Sequence, residues 1–135
     1  MTETALSPDL RVLVYTALIC LLLWMPYILA GIGKHGLVRM VGYPSVDYSD
    51  MDPWVGRSYR AHVNLAENLA PFAALVLVAH VIGAANEATA AAAWAFLFAR
   101  IVQAGAHTFA IPWVRTLAFF VGWAANICIL TQILY

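Results

Sequence analysis

Arg60, Glu67, Arg100 and Arg115 stand inside otherwise apolar runs of this chain. A charge at the centre of a bilayer costs about 3 kcal/mol or more, so such residues pair, face a bundle interior or serve a site. Set against the single carboxylate of Glu67, the guanidinium groups leave the cluster short of about two negative charges. An anion with several carboxylates or phosphates would complete it, because the guanidinium fork reads either group bidentately. A Glu67–Arg100 pair alone is equally consistent with glue between two membrane helices. A lone Asn or Gln in such a helix is more often glue than a ligand.

Other chemistries find no support. His35, His62, His80 and His107 show no metal-ligand spacing, so zinc or another metal is not expected. There is no glycine-rich phosphate loop, nucleophile elbow or pair of catalytic carboxylates. Cys20 and Cys128 lie in apolar runs without a CxxC pair and read as buried membrane thiols. His80 and Glu87 read as solvated or interfacial residues.

The elements that must position the cluster are membrane helices. The chain has 135 residues, 64% hydrophobic and 10% charged. A soluble domain carries about a quarter charged residues, so this composition is built for lipid. The formal net charge of zero argues against nucleic acid as a partner. A bilayer span needs about 20 apolar residues. Such stretches run over about residues 10–33, 59–83, 89–109 and 112–135. The lead-in to the first is acidic rather than basic and its apolar run is long, so it reads as a retained helix rather than a cleaved signal.

Punctuation agrees. Pro26 predicts a bend in the first span, and Gly31, Gly33 and Gly36 its end. Residues 34–57 form a polar connection with turn signals at Gly42-Tyr43-Pro44 and Asp50-Met51-Asp52-Pro53. Asn86 is a candidate cap for the third helix, and Pro112 fits the first turn of the fourth. Short links at 84–88 and 109–112 force antiparallel neighbours, giving a single-domain, all-α, up-down four-helix membrane bundle. Lys34, Arg39 and Arg57 in the long connection, with Arg115 beyond the third helix, place that end in the cytoplasm and both termini opposite.

Depth and rotation then gather the polar residues. At 1.5 Å per residue, Glu67 lies roughly 12 Å into the second helix and Arg100 roughly 13 Å into the third from the same end. Equal depth and opposite sign predict that they touch. Asn64 and Gln103 make a shallower layer, and Arg60, His107 and Arg115 another at the mouth. At about 100° per residue, Arg60, Asn64 and Glu67 share a face, as do Arg100, Gln103 and His107, and likewise Arg115, Phe119, Gly122 and Asn126. His62 points away from Arg60, toward headgroups or a neighbouring chain.

The stretch Arg60-Ala-His-Val-Asn64-Leu-Ala-Glu67-Asn68, with Ala99-Arg100-Ile-Val-Gln103, His107 and Pro112-Trp-Val-Arg115-Thr116, resembles the two signatures of the MAPEG family. These are the membrane-associated proteins of eicosanoid and glutathione metabolism. The resemblance covers nearly the whole chain. It implies a homotrimer of four-helix subunits that binds glutathione as co-substrate between subunits near the cytoplasmic surface. It further implies a transferase or peroxidase acting on lipophilic electrophiles or hydroperoxides. On that resemblance Arg60, Asn64, Glu67, Arg100, Gln103, His107 and Thr116 bind glutathione or support its binding. Arg115 stabilises the thiolate, since a fixed cation favours a thiol's anion. The sequence departs from the signatures at Gln103 (a histidine in the family pattern), His107 (a tyrosine), Val63 (an arginine in several members) and Phe119 (a common tyrosine). A second reading follows from these departures: a non-catalytic membrane trimer whose polar cluster binds a lipid-like ligand. The lipophilic substrate is not legible, because a lipid-facing cleft is defined by shape.

Overall fold

Proline decides where the first span breaks. A proline ring lacks an N–H and clashes with the carbonyl four residues back. For Pro26 that residue is Leu22, where helix α1 (Pro8–Leu22) ends; α2 (Met25–His35) restarts with Pro26 in its first turn. The computed structural model describes residues 5–42 and 48–135. Together α1 and α2 form an apolar rod long enough to cross a membrane. The rod stops at Gly36, whose φ of 83° is open to glycine. A short helix, α3 (Leu37–Val41), then folds back so that Met40 lies against Gly31. The expected Gly42-Tyr43-Pro44 turn falls mostly outside the described residues.

After a 3₁₀ turn at Tyr48–Asp50, α4 runs from Pro53 to Val81. It begins earlier than the apolar pattern suggests, because Pro53 occupies the first helical position and Val55 and Ser58 are already buried. At 29 residues it is about 44 Å long, more than a bilayer core of about 30 Å needs. The surplus carries Arg57 and Arg60. Pro71 lies inside this helix and has no N–H to give the Glu67 carbonyl. A Gly83 with φ 74° closes α4: its N–H reaches the His80 carbonyl at 3.2 Å, and the Ala84 N–H the Ala79 carbonyl at 2.8 Å.

Helix α5 (Glu87–Thr108) starts on a reciprocal cap. The Asn86 side chain accepts from the Ala88 and Thr89 N–H groups at 2.8 and 3.0 Å, while Thr89 Oγ1 accepts from the Asn86 N–H at 2.8 Å. Asn86 Nδ2 also donates to Gln132 Oε1 at 2.7 Å, tying the start of α5 to the end of α6 (Pro112–Leu134). Buried Asp9 accepts from Ser7 Oγ at 2.5 Å and from Thr89 Oγ1 at 3.5 Å, which brings the start of α1 to the same end.

All elements among the described residues are helical, and four apolar helical stretches can cross a membrane. The short α4–α5 and α5–α6 links make neighbours antiparallel. Helix α5 packs most extensively on α6, next on α4, with α1 against α4 and α5. The apolar core fills the half nearer the Asp9 end. Phe72 of α4 and Phe96 of α5 stack there at 4.0 Å between centroids, joined by Val12, Val76 and Ile129. Much of the outer surface is apolar: Leu21, Val81, Trp113 and Leu117 are all exposed. That is the reverse of a soluble protein and matches lipid as the solvent. Where core aromatics end, the polar residues begin.

Candidate functional site

Three helix segments converge at the arginine-rich end: the first half of α4, the second half of α5 and the start of α6. They enclose adjoining clefts. One, of about 240 Å³, is lined by Arg57, Arg60, His107, Arg115 and the α5–α6 turn, including Ala110. A second, of about 350 Å³, is lined by Asn64, Gln103, His107, Arg115, Thr116 and the rings of Phe119 and Phe120. His107 and Arg115 belong to both, so the two adjoin, and together they make a groove region with a cationic and an aromatic end. A tight gap between α4 and α5, lined by Asn64, Arg100, Gln103 and His107, lies beneath.

Arg100 sits deepest, only 2% exposed. Its Nη1 donates to Gln103 Oε1, one turn on along α5, and its guanidinium packs 4.9 Å from the Phe96 ring and 5.4 Å from that of Phe119. The group lies in a notch made by Gly122 on α6. Its Nε and Nη2 are buried and find no hydrogen-bond partner among the described residues, and neither does the Oδ1 of Asn126. Such donors are rarely left unpaired in a native assembly.

Glu67 does not supply the missing anion within the chain. The expected Glu67–Arg100 contact is absent: Glu67 is exposed, and no ion pair among the described residues involves either residue. The reason is rotation. Helix α4 turns Ala61, Leu65, Phe72, Val76 and Ala79 inward, and Glu67 lies about 200° around from Leu65, on the outer side. Arg100 meanwhile faces α6. Equal depth placed the two on one level but on different sides of α4.

The remaining site residues divide cleanly. Arg60, Asn64, Gln103, His107, Arg115 and Thr116 all line the groove. Arg100 and Glu67 do not: one is sealed beneath, the other faces outward. The Thr116 hydroxyl donates to the Pro112 carbonyl at 3.0 Å, leaving its lone pairs for a ligand. His107 Nδ1 is buried without a partner among the described residues. Among these residues no cluster suited to a metal forms.

Two features escaped the sequence. Arg57, the last residue of the expected polar connection, lies on α4 one turn before Arg60 and walls the groove, its Nε donating to the Thr108 carbonyl at 2.8 Å. The three-residue spacing of Arg57 and Arg60 was the available signal. His62, expected to face headgroups or a neighbour, instead shares a hydrogen bond between its Nδ1 and the Tyr27 hydroxyl at 2.8 Å, linking α4 to α2.

Comparison with known proteins returned one result. A model of the MAPEG family matches residues 12–135, nearly the whole chain. No curated protein and no solved structure matches the sequence. The four membrane helices, the arginine-lined groove and the extent of that match lead to one conclusion: this chain is an integral, multi-pass membrane protein that belongs to the MAPEG family.

Proposed function

We propose that this protein binds glutathione in the arginine-rich groove and uses it to conjugate lipophilic electrophiles or reduce lipophilic hydroperoxides. The observation that carries this reading is the 240 Å³ cleft, whose lining offers the guanidinium groups of Arg57, Arg60 and Arg115 and no carboxylate. Glutathione brings two carboxylates and a thiol, the anionic partner such a wall lacks. Asn64, Gln103, His107 and Thr116 offer polar contacts along the floor, and Phe119 and Phe120 an apolar approach for the second substrate.

Arg115 is the residue that stabilises the thiolate. A thiol with pKa near about 8.5 ionises more readily beside a fixed cation, and the anion is the nucleophile. Its attack on an electrophilic carbon forms the thioether and expels the leaving group, while the thiol proton passes to water. Exposed Glu67 suits either the ammonium of the tripeptide or a neighbouring subunit. Both fit a homotrimer with glutathione at the subunit boundary, the site opening toward the cytoplasm.

A non-catalytic trimer that binds a lipid-like ligand is the second reading. It is favoured by one observation: Arg100 is tied to Gln103 and Thr116 to Pro112 inside the chain. Titrating purified protein with glutathione while following the far-ultraviolet absorbance of a thiolate decides between them. A saturable thiolate signal supports the enzyme. No binding at millimolar glutathione, with several electrophiles unreacted, leaves the second reading.

A further inference from the structure

Arg57 and Arg60 have another side. Besides the cleft they line with His107 and Arg115, they line an adjoining one of about 390 Å³ with Tyr48, Tyr59, Pro53 and Gly56. No carboxylate is among its described lining residues. The Nε of Arg57 is held by Thr108, which fixes the stem and leaves the terminal N–H groups without a partner among the described residues; Arg60 has none there either.

Two of the lining residues are aromatic and are braced by a third ring. The Tyr48 and Tyr59 rings lie 5.2 Å apart, and each packs edge-on against Tyr27, at 5.9 and 5.3 Å. Tyr27 is anchored in turn by its bond to His62. Burial, then the neighbouring Tyr27 and Tyr59, raises the Tyr48 phenol above its ordinary pKa.

The surroundings mark a membrane boundary. Trp54 and Tyr59 are exposed beside the cleft, and α3 presents Leu37 and Val38 outward, Val38 at 88% exposure. Exposed aromatics with arginines at the end of an apolar helix are the side chains that sit at headgroup level. Two guanidinium groups lining one cleft with tyrosines, at that level, suit a phosphate carried on an apolar tail.

We infer that this cleft binds the phosphate headgroup of an anionic phospholipid, through the Arg57 and Arg60 side chains that it shares with the groove assigned to glutathione. The assignment does not depend on the glutathione reading. Arg57 and Arg60 would hold the phosphate oxygens, and Tyr48 and Tyr59 would pack on the glycerol and upper acyl carbons.

Native mass spectrometry of the protein released from discs of mixed phosphatidylcholine and phosphatidylglycerol tests it. Phosphatidylglycerol should be retained preferentially. Arg57→Gln and Arg60→Gln should each reduce that retention about fivefold, the effect of one basic residue near an anionic headgroup. Tyr48→Ala should reduce it as well, and Arg57→Lys should restore it only in part, keeping charge but losing the fork. Arg39→Gln, which removes a basic residue outside the cleft, should leave retention unchanged. Equal retention of both lipids overturns the inference. So does an equal loss in Arg39→Gln, which would mean general charge attraction. Displacement of the lipid by millimolar inorganic phosphate would assign the cleft to a soluble anion instead and overturn it too.

Discussion

Arg100 and Gly122 share one space. A Cβ built on Gly122 would lie 2.5 Å from Arg100 Nη2 and 2.9 Å from both Cζ and Nε. The three nearest atoms to that position all belong to the Arg100 guanidinium, so the absent side chain of α6 is what lets the charged group of α5 lie against it. A buried cation cannot slide aside cheaply when Phe96 and Phe119 flank it. Gly122→Ala should therefore destabilise the protein by about 1–3 kcal/mol through overpacking. Thermal unfolding in detergent would show it, and Gly105→Ala, where a Cβ meets open space, is the matched control.

The internal partner of Arg100 is Gln103 rather than Glu67. Gln103→Ala should cost about 1–3 kcal/mol, because it strands another buried donor of the guanidinium. Glu67→Gln changes an exposed side chain and should stay within about 0.5 kcal/mol in the isolated chain. Comparing the two melting curves in a detergent that yields monomers checks the assignment. A large loss for Glu67→Gln under those conditions would mean that the carboxylate is engaged within the chain after all.

Arg115 is exposed at the groove mouth, and no hydrogen bond of its guanidinium is made among the described residues. Its removal should leave stability within about 0.5 kcal/mol. Arg115→Ala should nevertheless abolish conjugation of glutathione to chlorodinitrobenzene, while Arg115→Lys should keep part of the rate. Steady-state kinetics beside a melting curve separates the chemical effect from a folding one.

At the far end, Asn86 caps α5 and bonds Gln132. Asn86→Ala should cost about 1 kcal/mol of stability. Because Asn86 lies at the end of the bundle away from the groove, glutathione affinity measured by calorimetry should not change.

Ala110 adopts φ 60° in the α5–α6 turn, in the left-handed region that costs an L-residue about 1–2 kcal/mol. Ala110→Gly should therefore raise the melting temperature or hold it level. Since Ala110 lines the cleft, any fall in conjugation rate without a fall in stability would mean the turn's rigidity serves the site.

The local features of this protein were legible in its sequence because each depends on residues within a few positions of one another. Apolar length gave the membrane spans, Asn86 and Thr89 carried the reciprocal cap, and Pro112 opened the last helix. Pro26 marked the break in the first span, displaced to Leu22 because the steric conflict falls four residues earlier. Depth along each helix, and the sharing of a face by Arg100, Gln103 and His107, also follow from helical geometry alone. How one helix is rotated against another does not. That angle is set by which small and large side chains interlock: the Gly122 notch draws Arg100 toward α6, and Ala61, Leu65 and Phe72 turn α4 so that Glu67 faces outward. Arg57 joined the groove because Pro53 starts α4 early, and Tyr27 met His62 because α2 packs against α4. Sequence thus determined what each helix carries and at what height. Only tertiary packing decided which side of its helix each charge presents to a neighbour, because that angle is a property of two surfaces together.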